Sequence, residues 1–139
     1  MRTVYDLVVI GGGAAGLGAA RAGAAAGARV LLVSEGEIGG ECTFTGCVPP
    51  KTLIQAAARG ATFADAMTAV RGAVKTIAAT ETAEVLAREG IDALRGHAAF
   101  TRTGTVSVEG QVLQARGFVI ATGSRPAVPQ CLVWRKRVT

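Results

Sequence analysis

The 139 residues are one domain's worth of chain, enough for a single sizeable core and too few for two large domains. Half of them are apolar, 18% are charged and 19 are glycine, which excludes a disordered chain and indicates a globular one rich in small residues. The net charge of +5 comes from basic residues scattered along the chain except for Arg135-Lys136-Arg137, and no aromatic side chains are interleaved as stacking platforms, so no nucleic-acid partner is expected.

The chain opens MRTVYDLVVIGGG and passes straight into a strand pattern, without an apolar leader and cleavage site. Its longest charge-free stretch, Leu7 to Ala20, falls short of the ~20 residues of a membrane span. The expected setting is therefore the reducing cytoplasm, with no membrane partner. Leu7 to Ile10 is a fully apolar run that suits a strand buried on both faces. Gly11 to Gly16 breaks it, an alanine-rich helix follows to Ala26, and Gly27 ends that helix. Arg29 to Val33 is a second buried strand, and the whole has the size of a βαβ unit. Val48 to Arg59 predicts a helix with prolines in its first turn. Helical spacing then continues from Phe63 to Glu89, where one long helix is expected, ended by Gly90. Ile91 to Leu94 is a third parallel strand. Ala98–Phe100, Thr105–Val108 and Val112–Ala115 form a small antiparallel meander bent at Gly104 and Gly110. Gly117 to Thr122, ending at Gly123, is a last buried strand. The expected fold is α/β, a doubly wound, Rossmann-like three-layer domain with a small β-meander inserted before its last strand.

Gly11-x-Gly13-x-x-Gly16 follows a strand, opens a helix and precedes a second strand, which is the context a dinucleotide turn requires. The first glycine makes the tight turn. The second admits a pyrophosphate to the backbone, and the third lets helix and strand pack closely. An acidic residue about 20 positions on is the expected ribose partner. The chain offers Ser34-Glu35-Gly36-Glu37, and Glu35 is the best candidate by chemistry.

Cys42 and Cys47 lie in GGECTFTGCVPPK, Gly39 to Lys51. A zinc site needs four ligands; His97 and the remote Cys131 are too few, and no metal site is expected. Cys47 immediately precedes the predicted helix, whose N-terminus favours a thiolate, as a redox cysteine requires.

Taken together, VIGGGAAG at Val9–Gly16, the GGxCxxxGCVPxK pattern at Gly39–Lys51 and ATGSRP at Ala121–Pro126 resemble the pyridine nucleotide-disulfide oxidoreductases. The resemblance covers residues 4 to 129 and rests most on the cysteine motif. It implies that the nucleotide is FAD, bound by Gly11, Gly13, Ala14, Ala15, Gly16, Ser34 or Glu35, Gly40, Glu41, Cys42, Lys51, Ala98, Thr122 and Gly123. It implies that Cys42 and Cys47 are a redox-active disulfide, with Cys47 beside the flavin and Cys42 exchanging with a disulfide-type or other small-molecule substrate. Lys51 would lie near the flavin's reactive edge, and Ala98 would meet adenine through its backbone. His97 is expected to be a strand or surface residue. The electron donor would be NAD(P)H, and the family's members are homodimers.

Three positions depart from the family pattern. Ser34 stands where the ribose-binding glutamate is usual, with Glu35 one residue late. Glu41 replaces the usual threonine and brings a negative charge near phosphates. Pro50 replaces a small polar residue. The family continues into an NAD(P)-binding domain and a dimerisation domain, whereas residues 130–139 read QCLVWRKRVT and match no family motif. Residues 1–129 are thus expected to be the N-terminal part of an FAD domain, and the last ten residues a tail produced by truncation or frameshift. The competing reading is a free-standing FAD-binding or thiol-redox module without NAD(P)H activity of its own.

Overall fold

The computed structural model describes residues 4–127. The tail 130–139, with Cys131 and the basic cluster, lies outside the described residues.

The first strand, β1 (Val4–Ile10), leads through the glycine turn into helix α1 (Ala14–Ala25) and strand β2 (Val30–Ser34). α1 ends as its sequence requires: Gly27 takes φ +81, and the Ala28 N–H reaches back to the Gly23 carbonyl at 3.0 Å. A short helix α2 (Gly40–Phe44) carries Cys42, and α3 (Val48–Ala58) follows Cys47. Next come α4 (Phe63–Ala78), α5 (Ala83–Arg88) and β3 (Ile91–Arg95). The chain closes with β4 (Ala98–Arg102), β5 (Thr105–Val108) and β6 (Gln111–Ile120).

These strands form one six-stranded sheet in the order β3-β2-β1-β6-β5-β4. β1 lies parallel to both β2 and β6, and β3 parallel to β2, while β5 runs antiparallel to both β6 and β4. The apolar runs at Leu7–Ile10 and Arg29–Val33 lie inside this sheet, with β3 at its edge, and all five residues of β2 are buried. The last run, expected to be buried, is only partly covered, and Ile120 at its end is 68% exposed. On one face Val9, Val30, Leu32 and Ile91 pack against Leu17 and Ala20 of α1 and Leu86 of α5. On the other, Tyr5, Val8, Ile10, Leu31 and Val33 share a cluster with Val106, Val108 and Leu113. The meander therefore supplies the layer opposite α1 and α5.

Two expectations are corrected. The single helix over 63–89 is two helices. The Thr80 hydroxyl donates to the Ile77 carbonyl at 2.7 Å, and the Thr82 hydroxyl accepts the Val85 N–H to start α5 afresh. Helical spacing survives the break because α4 and α5 bury the same kind of face. The meander's last strand and the final core strand are likewise one element. β6 pairs with β5 through Gln111–Gln114 and with β1 through Gln114–Ile120, so Arg116 and Gly117 lie within a continuous strand.

α3 buries no residue and packs mainly on α4, leaving Ile54 and Phe63 69% and 77% exposed. No helix of the described residues is long and apolar enough to cross a membrane.

Asp6 ties the start of the sheet together. Its Oδ2 accepts the Arg29 backbone N–H at 3.0 Å and the Arg29 Nε–H at 3.3 Å. The Arg29 amide and guanidinium hold its carboxyl below the usual carboxylate range. A depressed carboxyl contributes stability above its unfolded pKa and loses it as pH falls through the folded value. Asp6→Asn is accordingly expected to melt slightly below the wild type at neutral pH, with the difference closing in acid. Thermal melts across a pH series check this, and a constant difference would remove the carboxylate's role.

Candidate functional site

The site grows from the carboxyl ends of β2, β1 and β6. The Gly11 N–H donates to the Val33 carbonyl at 2.8 Å and the Ala121 N–H to the Ile10 carbonyl at 2.7 Å, so the three strands end level. β2 and β6 lie on opposite sides of β1, and the crevice between connections that leave in opposite directions is where open α/β sheets bind ligands.

Each fingerprint glycine has its own steric reason. Gly11 takes φ +113, and a Cβ there would overlap the Ala121 carbonyl oxygen. A Cβ on Gly16 would overlap the Gly11 carbonyl oxygen, so this glycine is needed for α1 to sit on its own turn. Gly13 has nothing within 4 Å of its Cβ position, and its opening faces outward rather than into the protein. Gly13 is also the N-cap of α1, with no side-chain cap and no acidic residue in the first turn. No side chain competes with an anion for the N–H groups at this helix start.

The second glycine pair locks onto the first. The Gly39 N–H donates to the Gly12 carbonyl at 2.7 Å, and a Cβ on Gly40 would stand 2.9 Å from the Gly13 Cα. The cysteine turn is thus pressed against the glycine turn, with α2 carrying Cys42 away from that contact.

A groove of about 760 Å³ runs over this surface. It collects Gly11, Gly13, Ala14 and Ala15 from the first turn, and Ser34 and Glu35 from the end of β2. It also collects Gly40, Glu41 and Cys42, together with Ala98, Thr122 and Gly123. Of the remaining sequence-predicted residues, Gly16 is buried beneath the turn, and Cys47 and Lys51 lie outside the groove lining on the α3 side.

Ser34 and Glu35 divide the strand end between them. Ser34 is buried against Gly12, whose Cβ would stand 2.6 Å from the Ser34 Oγ. Glu35 is exposed and its carboxylate contacts His97 Nδ1. The Gly96 N–H donates to the Ser34 carbonyl at 3.0 Å, which brings Gly96–Ala98 alongside. His97 therefore lines the groove, a place that the sequence reading did not give it. Arg125 lines it too; its position in the ATGSRP stretch was the available signal.

The two motif cysteines are joined through one helical turn. The Cys47 N–H donates to the Cys42 carbonyl at 3.0 Å, and the Lys51 N–H to the Cys47 carbonyl at 3.3 Å. Cys47 is the N-cap of α3 and exposed, and Cys42 is half-buried. Its hydrogen bond to Cys47, with partial burial, pushes the Cys42 thiol up from its ordinary value; Lys51 opposes the shift and Glu81 adds to it. The two thiols are thus neighbours across the turn between α2 and α3.

A family model described as pyridine nucleotide-disulphide oxidoreductase matches residues 5–132. The chain is 35% identical to a mercuric reductase of Staphylococcus aureus, over 91% of this chain and 26% of that protein. It is also 35% identical to a glutathione reductase of Burkholderia cepacia, over 90% of this chain and 31% of that one. Among solved structures it is similar to the Cu(II) complex of the HOCl-induced flavoprotein disulfide reductase RclA from Escherichia coli. That match has a TM-score of 0.81 at 29% identity and covers 94% of this chain and 31% of RclA. The chain thus spans between about a quarter and a third of these relatives.

Proposed function

Because the chain belongs to the pyridine nucleotide-disulphide oxidoreductases, we propose that its groove holds FAD and that Cys42 and Cys47 are the redox-active pair of an NAD(P)H-dependent disulfide oxidoreductase. The observation that carries the reading is one continuous surface. An anion-ready helix start, an open Gly13 and Cys42 all line a single groove.

The residues fit the cofactor. The uncapped N–H groups of α1 suit a pyrophosphate, and Gly13 leaves room for its approach. Arg125 adds a positive charge along the groove, against the carboxylates of Glu35, Glu37 and Glu41. Glu35 is the ribose partner in this reading, since Ser34 is buried against Gly12. The groove's volume falls in the ~300–1,000 Å³ range of small-molecule sites.

When bound, FAD supplies hydride acceptance from a nicotinamide and electron transfer to a disulfide. The chain's own residues handle the sulfur chemistry. In this reading Cys47, at the N-cap of α3, is the sulfur that faces the flavin, reached past Cys42, which is the one that lines the groove. Cys42 is the sulfur that exchanges with substrate, and its hydrogen bond to Cys47 with partial burial raises its pKa from the ordinary value. The substrate proposed is a disulfide or a thiol-reactive small molecule.

The purified 139-residue chain is expected to bind added FAD with weak affinity, read as quenched flavin fluorescence in a titration. Binding of NAD with no uptake of FAD would overturn the assignment.

A further inference from the structure

Thr43 follows Cys42 directly on α2 and is only 2% exposed. Its hydroxyl donates to Glu81 Oε2 at 2.7 Å, across 38 residues of sequence. Glu81 lies in the break between α4 and α5, half-buried, with its carboxylate seated over Gly39. A Cβ on Gly39 would stand 2.5 Å from Glu81 Oε2, so the glycine leaves the room that the carboxylate uses. Glu81 also lines an apolar cavity of about 380 Å³ with Leu32, Ile38, Phe44 and Leu94. From α1, Arg21 interacts with Glu81 through space while donating to the Thr80 carbonyl at 3.1 Å. Neither Thr43 nor Glu81 has a part in the function proposed above.

We propose that Glu81 is a positioning residue for the cysteine pair: through Thr43 it pins the turn that carries Cys42, and it holds a negative charge within reach of that thiol. The inference rests on the reading of Cys42 and Cys47 as the redox pair. A fixed carboxylate disfavours a nearby thiolate, so Glu81 restrains Cys42 while leaving Cys47 at its helix start. The charged and titratable groups facing Cys42 are Cys47 and Lys51 from α3 and Glu81 from the α4–α5 break, and its upward shift includes the Glu81 charge among its causes. Glu41 is its neighbour on α2. Glu81 itself is faced by Arg21 from α1.

The test is alkylation of the reduced 139-residue chain by iodoacetamide across a pH series, followed at Cys42 by tandem mass spectrometry. Glu81→Gln keeps an acceptor for Thr43 and removes the charge. It is expected to move the Cys42 profile to lower pH and to speed alkylation about 3–10-fold below the midpoint. Thr43→Val, which loses the tether, is expected to move the profile the same way by less, and Thr43→Ser to leave it in place. A purely structural contact would change melting temperature and leave these profiles superimposed. Superimposed wild-type and Glu81→Gln profiles overturn the proposal, as does a Thr43→Ser shift as large as that of Thr43→Val. Oxidised glutathione, reduced to two thiols as the protein disulfide forms, tests the underlying reading separately. A chain that forms no Cys42–Cys47 bridge with it overturns the pair and with it the role given to Glu81.

Discussion

Gly16→Ala is expected to lose folded stability and FAD together, while Gly13→Ala loses only FAD and Gly18→Ala gains slightly in stability. The three glycines lie within six residues at the start of α1, and the space around each differs. At Gly16 the added carbon meets the Gly11 carbonyl oxygen, a backbone atom that no rotamer change can move. Helix and turn must separate, at a cost of about 3 kcal/mol or more and a melting shift on the order of 10 °C. Gly13 has extended φ and ψ of −78° and −175°, which alanine adopts freely, and its Cβ would meet nothing in the protein. Its methyl would occupy only the space proposed for the pyrophosphate. Gly18 is exposed on the helix with nothing within 4 Å, so alanine there adds helix propensity of ~0.5–1 kcal/mol. Thermal melts and FAD titrations on the three variants check the separation. Unchanged FAD affinity in a folded Gly13→Ala chain would move the pyrophosphate elsewhere.

Cys42→Ser and Cys47→Ser are each expected to abolish the reversible disulfide completely, yet to differ in the presence of FAD. The wild-type chain should gain two hydrogens between these positions on mild reduction, and neither variant should. With FAD bound, the long-wavelength absorbance of a thiolate beside a flavin should persist in Cys42→Ser and vanish in Cys47→Ser. The reasoning is local: Cys47 stands at the helix start of α3, the place proposed for the sulfur beside the flavin, and Cys42 is the exchanging sulfur of the same reading. Absorbance that survives only in Cys47→Ser would exchange the two roles. A bridge to Cys131 in the wild type would remove the pair altogether.

The parallel strands were legible because apolar runs between glycines have few other places to go. Leu7–Ile10, Arg29–Val33 and Ile91–Leu94 all became neighbouring parallel strands. The glycine turn was legible because its spacing answers to sterics that the structure displays atom by atom. α2 was not legible, since five residues are too few to show a helical period and only the Gly39–Gly40 contact with the first turn sets them. The α4–α5 break was written in Thr80 and Thr82, but helical spacing on both sides concealed it. At the strand end, sequence chemistry favoured Glu35 without supplying the reason. The reason is tertiary: Gly12 presses on Ser34, and His97, just before β4, comes in from 62 residues beyond Glu35. Glu81 gave no signal at all, because its partner Thr43 is remote in sequence.

β6 meets β1 in a pairing that aligns Val4 with Gln114 and Ile10 with Ile120. Partners about 110 residues apart make this the longest loop closure in the sheet, and such contacts are slow to form. At a synthesis rate of ~5–20 residues per second, β1 waits roughly 5–20 s on the ribosome before β6 exists. Through that interval Leu7, Val8, Val9 and Ile10 present an unpaired, apolar edge, the kind of strand most prone to pair with another chain. The seam that completes the groove is thus also the nascent chain's point of greatest exposure to aggregation and to chaperones.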